Sequence, residues 1–158
     1  MISNMKNQKI RFKILLATDG SAHSKVVLKK VANRPYAPKT EVRIVSVYES
    51  TPMITTLELM GVSQEYYAAS DKYALKTAEK ITKNAADILR KKHPALTITT
   101  AVIDGSPKKG ILEEAEKYHA DLIIVGSHGS DAMERFLLGS VSQAVALHAK
   151  CSVEIVRK

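Results

Sequence analysis

The sequence predicts an α/β protein with an open, doubly wound parallel sheet. Short apolar runs alternate with segments of helical periodicity along most of the chain, which is the order expected of repeated strand and helix units. The runs are nearly continuous in apolar residues, as in strands that helices cover on both faces. Because 158 residues are about the length of one domain, we expect a single domain over residues 12–158. Residues 1–11 are polar and basic, and we expect them to form a flexible tail.

Two strands and a helix are predicted in the first third of the chain. The run Phe12–Thr18 is rich in β-forming residues and ends in Asp19-Gly20-Ser21, a sequence typical of a turn and a helix start. A helix should follow over about Ala22–Ala32, and Val42–Val47 should form the second strand. Residues 49–63 are too irregular to assign, although their apolar content is too high for a mere linker.

The rest of the chain continues the alternation of helices and strands. The predicted elements are a helix over about Gln64–Lys92, a strand over Leu96–Ile103, a helix from Pro107 with Ser106 as N-cap, a strand over Asp121–Val125, a helix from Ser140 and a strand over Val153–Val156. Spacings of three and four residues define one apolar stripe on each helix. These stripes are Val26, Val27 and Val31; Ala74, Ala78, Ile81, Ala85 and Ile88; Ile111, Leu112, Ala115 and Tyr118; and Val141, Ala144, Val145 and His148.

The composition argues against several classes of protein. The net charge is +8, but basic and acidic residues are interleaved and aromatic residues make up only 5% of the chain, so we do not expect nucleic-acid binding. The chain has neither an apolar run of about 18 residues nor the apolar core of a signal peptide, which predicts a cytoplasmic protein without a membrane partner. The single cysteine, Cys151, excludes a disulfide framework and a multi-cysteine metal site, and we interpret it as a small buried apolar residue.

A glycine motif near the C-terminus predicts a phosphate site. Gly126-Ser127-His128-Gly129 follows an apolar run, and Gly139-Ser140 comes nine residues later at the start of a predicted helix. Glycines allow backbone N–H groups to approach an anion, and a helix N-terminus supplies positive potential. No lysine follows Gly139, so the P-loop pattern is absent, which favours holding a nucleotide over rapid phosphoryl transfer.

A carboxylate is predicted at the other side of the same crevice. Asp19 ends the first strand and can accept hydrogen bonds from ribose hydroxyls, although Asp19 or Ser21 can instead simply cap the first helix. In an open sheet, ligands bind beyond the carboxyl ends of the strands where the strand order reverses. If the first and fourth strands are neighbours there, Asp19 and the glycine motif face one ligand.

These segments together resemble the universal stress protein family. The similar segments are Ile14-Leu15-Leu16-Ala17-Thr18-Asp19-Gly20-Ser21, Ala120-Asp121-Leu122-Ile123-Ile124-Val125-Gly126-Ser127-His128-Gly129, Leu138-Gly139-Ser140-Val141-Ser142 and His148-Ala149-Lys150-Cys151. The resemblance implies a Rossmann-like, five-stranded sheet in the order 3-2-1-4-5. It also implies an adenine nucleotide as ligand, ATP in the nucleotide-binding subgroup, with Mg2+ near Ser140 as a possible companion and no metal site made by the protein alone.

The resemblance also implies which residues bind and which pair. Nucleotide-binding residues would be Ala17, Thr18, Asp19, Val47, Val125, Gly126, His128, Gly129, Gly139, Ser140, Val141 and Ser142. A homodimer would form through the last strand, where Val153, Ile155 and Val156 supply the edge. Asp131 and Glu134 depart from an ideal phosphate loop, since they would repel a polyphosphate unless Mg2+ or Arg135 offsets their charge.

Three functions follow as alternatives. The first, which we favour, is an ATP-binding stress-response or signalling module that partner proteins read. The second is a nucleotide-free interaction protein of the same fold, with the lysine-rich second helix as its partner face. The third is a slow ATP-hydrolysing enzyme that uses His128, but no carboxylate or nucleophile partners His128 in the sequence, so we expect a packing or hydrogen-bonding role and no catalytic residue.

Overall fold

The strands form one parallel sheet in the order β3-β2-β1-β4-β5, as predicted. The computed structural model describes residues 11–50, 61, 63–129 and 138–157. In chain order the elements are β1 Lys13–Ala17, α1 Ala22–Ala32, β2 Glu41–Tyr48, α2 Gln64–Lys92, β3 Thr97–Asp104, α3 Pro107–Tyr118, β4 Leu122–Gly126, α4 Ser140–His148 and β5 Ser152–Val156. β1 pairs with β2 on one side and with β4 on the other, so the strand order reverses between β1 and β4.

Each face of the sheet is covered by two helices. Successive side chains of a strand point to opposite faces, and Leu15 and Leu16 accordingly enter different clusters of buried residues. The cluster around Leu16 contains buried residues of α1 and α2, and the cluster around Leu15 contains those of α3 and α4. Both leucines are at most 1% exposed, which confirms the expectation that these strands are buried on both faces.

The long helix α2 buries Ala78 and Ala85 of the predicted stripe, but the rest of its buried stripe differs from the prediction. Ile88 is 46% exposed, whereas Leu89, its neighbour, is fully buried. Buried residues on α2 are Ala78, Thr82, Ala85, Ala86 and Leu89. The prediction missed part of this stripe because Thr82 is polar, yet its hydroxyl donates to the carbonyl oxygens of Ala78 and Glu79 and so can be buried without an unmet hydrogen bond.

Positions in the other predicted stripes are also less buried than expected. Val26, Leu112, Val141 and Ala144 are only partly buried, and His148 is exposed at the last position of α4. Glu114 of α3, by contrast, is 8% exposed, because its carboxylate accepts a 2.7 Å hydrogen bond from Arg43.

The turn between β1 and α1 combines a cap with a conformation that favours glycine. The Ser21 hydroxyl accepts a 3.1 Å hydrogen bond from the Ser24 amide, which makes Ser21 the N-cap of α1. Gly20 has a φ of 74°, and a Cβ atom added there would lie 2.7 Å from the Ile81 side chain of α2. A glycine is therefore required on both conformational and steric grounds.

The amino-terminal ends of β1 and β4 meet in a set of paired polar groups. The Lys13 amide donates to Asp121 at 2.8 Å, and the Lys13 ammonium donates to the Tyr118 carbonyl oxygen at 3.2 Å. A cavity of about 480 Å³ lies beside this end. Its lining residues are Leu112, Ala115, Glu116, His119, Ala120, Asp121, Ile123, Ala149, Lys150 and Cys151. Cys151 is partly buried, not fully buried as the sequence suggested, because it faces this cavity.

Several predictions fall on residues outside the described ranges. These are most of the basic tail, nearly all of the irregular segment 49–63, and the charged residues Asp131, Glu134 and Arg135. Among the helices that the structure describes, none is long and apolar enough to span a membrane.

Candidate nucleotide-binding site

A cavity of about 560 Å³ lies beyond the carboxyl ends of β1 and β4, where the strand order reverses. Its lining residues are Ala17, Thr18, Asp19, Ser24, Val45, Val47, Pro107, Ile111, Val125, Gly126, His128, Gly129, Leu138, Gly139, Ser140, Val141 and Ser142. All twelve residues that the sequence singled out for binding are among them. The structure therefore brings residues from four separate stretches of the chain to one place, as a shared site requires.

One side of the cavity is apolar. Val45 and Val47 of β2, Ile111 of α3 and Val125 of β4 contribute aliphatic side chains to it. Gly110 allows α3 to approach β2 closely, because a Cβ atom at this position would lie 3.2 Å from Ile103 and 3.3 Å from Val47. Such a wall suits a flat, weakly polar group such as a nucleobase.

The glycine motif also borders the cavity, and hydrogen bonds hold its two parts together. The Gly139 amide donates to the Ser127 carbonyl oxygen at 2.7 Å, and the Ser142 hydroxyl donates to the same oxygen at 3.1 Å. A Cβ atom on Gly139 would lie 3.1 Å from that oxygen, and a Cβ atom on Gly126 would lie 3.2 Å from the His128 carbonyl oxygen. The close backbone approach therefore depends on glycine at both positions.

The N-terminus of α4 opens into the cavity without a capping side chain. Its N-cap is Gly139, and its first turn contains no acidic residue. The first backbone hydrogen bond of the helix runs from the Gln143 amide to the Gly139 carbonyl oxygen at 2.9 Å. The amides of residues 140–142 precede that bond and so have no acceptor within the helix. The chemistry of such an uncapped helix N-terminus suits an anion such as a phosphate group.

Asp19 connects the end of β1 to the glycine motif. Its Oδ1 atom accepts a 3.0 Å hydrogen bond from the Ser21 amide, and its Oδ2 atom lies 3.0 Å from the position of a Cβ atom built on Gly129. Since the Ser21 hydroxyl caps α1, the carboxylate of Asp19 supports the turn and still borders the cavity. The two interpretations of Asp19 from the sequence are therefore compatible.

His128 has one ring nitrogen engaged and one unsatisfied. Its Nδ1 atom is 3.0 Å from the Ser127 hydroxyl, whereas its Nε2 atom is buried without a hydrogen-bond partner. The His23 ring of α1 lies beside it, with 5.5 Å between ring centroids. No hydrogen bond or ion pair joins His128 to a carboxylate in the described part of the chain, and no group of three or more metal-ligating side chains occurs there. This arrangement offers a hydrogen bond to a ligand but no acid–base pair.

Five lining residues were not predicted as site residues from the sequence: Ser24, Val45, Pro107, Ile111 and Leu138. Pro107 and Ile111 belong to α3, which begins after β3 at the same carboxyl edge of the sheet. In a parallel sheet every helix that follows a strand begins at the carboxyl edge. The alternation of strands and helices in the sequence could therefore have predicted that the start of α3 lies near the site. Val45 and Leu138 carried no such signal, since an apolar residue in a strand or loop is most simply interpreted as core.

Known proteins share both the sequence and the fold of this chain. The family model described as the universal stress protein family matches residues 11–157. A universal stress protein of the archaeon Methanocaldococcus jannaschii is 32% identical over 151 residues, which are 92% of this chain and 82% of that protein. Identity at this level over nearly the whole chain indicates common descent.

Solved structures agree with this relationship. The universal stress protein UspA of Lactobacillus plantarum superposes with a TM-score of 0.76 at 20% identity, covering 94% of this chain and 99% of that one. A universal stress protein of Archaeoglobus fulgidus, solved in complex with dAMP, has a TM-score of 0.62 at 21% identity, covering 92% and 98%. A further universal stress protein, solved in complex with cAMP, has a TM-score of 0.63 at 23% identity, covering 93% of this chain and 97% of that one. The chain described here belongs to the universal stress protein family.

Proposed function

We propose that this protein binds an adenine nucleotide, ATP in particular, and acts as a nucleotide-dependent module in a stress response. The observation that carries the proposal is the uncapped N-terminus of α4, which lines one cavity together with Asp19 and a group of aliphatic side chains. Members of the family with the same fold have been solved with dAMP and with cAMP, which supports an adenine nucleotide as the ligand class. Our choice of ATP rests on the resemblance of the glycine motif to that of the nucleotide-binding subgroup of the family.

The ligand would lie along the cavity from the apolar wall to the glycine motif. Adenine would pack against Val47 and the neighbouring aliphatic side chains, and the ribose hydroxyls would donate to Asp19. The phosphates would accept hydrogen bonds from the amides of the glycine motif and of the first turn of α4. The proposed binding residues are those of the sequence prediction: Ala17, Thr18, Asp19, Val47, Val125, Gly126, His128, Gly129, Gly139, Ser140, Val141 and Ser142.

We propose that the nucleotide is held, not consumed. No lysine follows Gly139 in the sequence, and within the described residues no hydrogen bond or ion pair joins His128 to a carboxylate that would position charge on a transferred phosphoryl group. Mg2+ would accompany ATP and offset the repulsion from Asp131 and Glu134, whose carboxylates follow the first part of the glycine motif in the sequence. The protein would then change state by binding and releasing ATP, and partner proteins would read that state.

Two further parts of the proposal concern assembly and location. We propose a homodimer that pairs the outer edges of two β5 strands, because β5 ends the sheet and no described strand covers its outer edge. We also propose a cytoplasmic protein, in which a single unpaired thiol, Cys151, is stable and ATP is abundant. Residues 12–158 would act as one domain.

Isothermal titration calorimetry tests the nucleotide with adenosine, AMP and ATP, each with and without Mg2+. Adenosine should bind most weakly, and each added phosphate should increase affinity because it reaches further amides of the glycine motif. Mass spectrometry of the natively purified protein should find an adenine nucleotide. Absence of ATP binding at millimolar concentration would contradict the proposal, and steady release of phosphate above background, lost in His128→Ala, would replace it with the enzymatic alternative.

A further inference from the structure

The outer strand β5 has a carboxylate at its centre that is held by an arginine. Glu154, the third of the five residues of β5, accepts two hydrogen bonds from Arg34, at 2.6 and 2.8 Å. Arg34 follows α1, so the ion pair joins positions 120 residues apart in the chain. Both side chains are about one third exposed, at 29% and 36%. The two parallel hydrogen bonds fix the direction of the carboxylate.

The segment that carries Arg34 is itself well anchored. The Arg34 amide donates to the Val31 carbonyl oxygen, and the Tyr36 hydroxyl donates to the same oxygen at 2.8 Å. The Tyr36 ring meets His93 of the region after α2 edge to face, with 4.8 Å between centroids. The backbone of Arg34 is therefore held in place before the side chain meets Glu154. Forming the ion pair then costs little additional conformational entropy.

The side chains of β5 alternate between the two faces of the sheet. Val153 and Ile155 pack with the cluster of α3 and α4, whereas Val156 packs with the cluster of α1 and α2. Glu154 shares the second face, since it lies two residues from Val156 and contacts the residue that follows α1. One face of β5 is thus apolar, and the other carries a single charge at its centre.

Symmetry dictates which residues meet if two β5 edges pair. Two copies of one strand joined antiparallel at their edges are related by a two-fold axis perpendicular to the sheet, and this axis preserves the faces. Glu154 must then lie opposite Ser152, Glu154 or Val156 of the other copy, because only these share its face. In each of these registers the two Glu154 side chains are direct or diagonal cross-strand neighbours, within about 8 Å of each other.

Two bare carboxylates at that spacing would oppose pairing. Charged residues on an outer strand are a common means of preventing edge-to-edge association, and like charges directly across two strands are destabilising. In this chain the Arg34 guanidinium donates to the Glu154 carboxylate, which raises the pKa of Arg34 and lowers the pKa of Glu154. Arg34 of the same subunit thus neutralises each Glu154, which removes the repulsion between the two carboxylates at the edge.

We propose that Arg34 permits self-association of this protein by neutralising Glu154 at the centre of the β5 edge, and that the partner is a second copy of this chain. The inference rests on the β5 pairing of the proposed function. It adds that an ion pair within each subunit controls whether the edges can join. A related chain that has the glutamate but lacks the arginine would pair poorly with this edge. The Arg34–Glu154 ion pair therefore also favours a second copy of this chain over such a relative.

Sedimentation equilibrium of charge variants tests this inference. Arg34→Gln should weaken the dimer about fivefold to tenfold at low ionic strength. The loss should shrink in 1 M salt, where the screening length is about 3 Å. The double variant R34Q/E154Q removes both charges with little change of shape and should dimerise like the parent. Arg34→Lys, which keeps the positive charge, should lie close to the parent.

Two controls separate this effect from misfolding and from failure of the wider proposal. ATP affinity and the far-UV circular dichroism spectrum at 25 °C should match those of the parent in every variant, because Arg34 and Glu154 do not line the nucleotide cavity. If Arg34→Gln dimerises as tightly as the parent, or if R34Q/E154Q is as weak as R34Q, the role of Arg34 is refuted while β5 pairing stands. A parent protein that is monomeric at about 100 μM refutes both, whatever its affinity for ATP.

Discussion

A cavity lies at each end of the sheet, and the two differ more in chemistry than in size. The cavity at the carboxyl end has a volume of about 560 Å³ and the one at the amino end about 480 Å³. At the carboxyl end α4 begins without a capping side chain, and His128 Nε2 is buried without a partner. At the amino end, Asp121 accepts from the Lys13 amide, and Glu116 from Lys150 at 2.9 Å.

The difference shows where this fold keeps unmet hydrogen-bonding capacity. An unsatisfied buried polar group costs about 1–3 kcal/mol, so a folded protein retains such groups mainly where a ligand or water completes them. The amino end instead stabilises the fold with pairs that the protein provides itself. The two cavities are similar in volume, but their hydrogen bonds differ, which distinguishes the proposed binding end at the carboxyl edge from a structural end at the amino edge.

The largest expected effect is the loss of ATP binding in Gly139→Val. The new side chain would begin 3.1 Å from the Ser127 carbonyl oxygen and 3.3 Å from the His128 Cα atom, and it would force apart the two parts of the glycine motif. ATP affinity should fall at least about 30-fold, or roughly 2 kcal/mol, while adenosine affinity changes little. Calorimetry measures both. Leu147→Val, a change at an exposed position of the same helix, should bind ATP normally.

A substitution near the amino end of the sheet should lower the stability of the protein without changing its affinity for ATP. Glu114→Ala removes the partner of Arg43, whose side chain is 28% exposed and stacks on the Tyr118 ring at 4.3 Å. We expect a loss of about 2 kcal/mol in the free energy of unfolding, because a partly buried guanidinium is left without its carboxylate. Urea denaturation measures it. Lys109→Ala, which breaks a well-exposed pair with Glu113, should cost less than about 0.5 kcal/mol.

A smaller effect on binding should distinguish the two halves of the nucleotide site. Asp19→Asn keeps the size of the side chain but loses one acceptor for the ribose hydroxyls. Affinity for ATP and for adenosine should fall by the same factor, about tenfold, since both ligands contain the ribose. Equal losses would place the ribose at Asp19. A loss confined to ATP would instead place phosphate near this residue and would contradict the proposed orientation.

The smallest effect concerns the thiol at the amino-end cavity. Burial, and secondarily the negative charge of Asp121, raise the pKa of Cys151. A raised pKa means less thiolate at a given pH, so alkylation by iodoacetamide should be slower than for an exposed thiol at pH 8 and should accelerate only at higher pH. Saturating ATP should not protect Cys151. Protection would show that the two ends of the sheet are coupled.

The sequence predicted the topology and the site better than it predicted long-range pairs. The bounds of α1 and α2 follow from local signals, namely turn residues and helix caps. The twelve binding residues that the family resemblance implied all line the cavity, whereas five further lining residues were not predicted. The buried stripe of α2 was predicted only in part, since a threonine that bonds to its own helix backbone hides some of it. The pairing of Arg34 with Glu154 and the unsatisfied nitrogen of His128 have no local signal, because both arise only when separate elements pack together.

The pairing of β1 with β4 also has a consequence for the time course of synthesis. β1 pairs with a strand that begins 108 residues later, as Ile14 and Leu122 show. At about 5–20 residues per second, the ribosome needs roughly 5–20 s to make that intervening chain. Asp19 is therefore translated long before the amides of α4 that would share its ligand. Under the proposed function, the nucleotide can stabilise only a chain whose synthesis has reached α4. Ligand binding would therefore favour the completely folded protein over partly made chains.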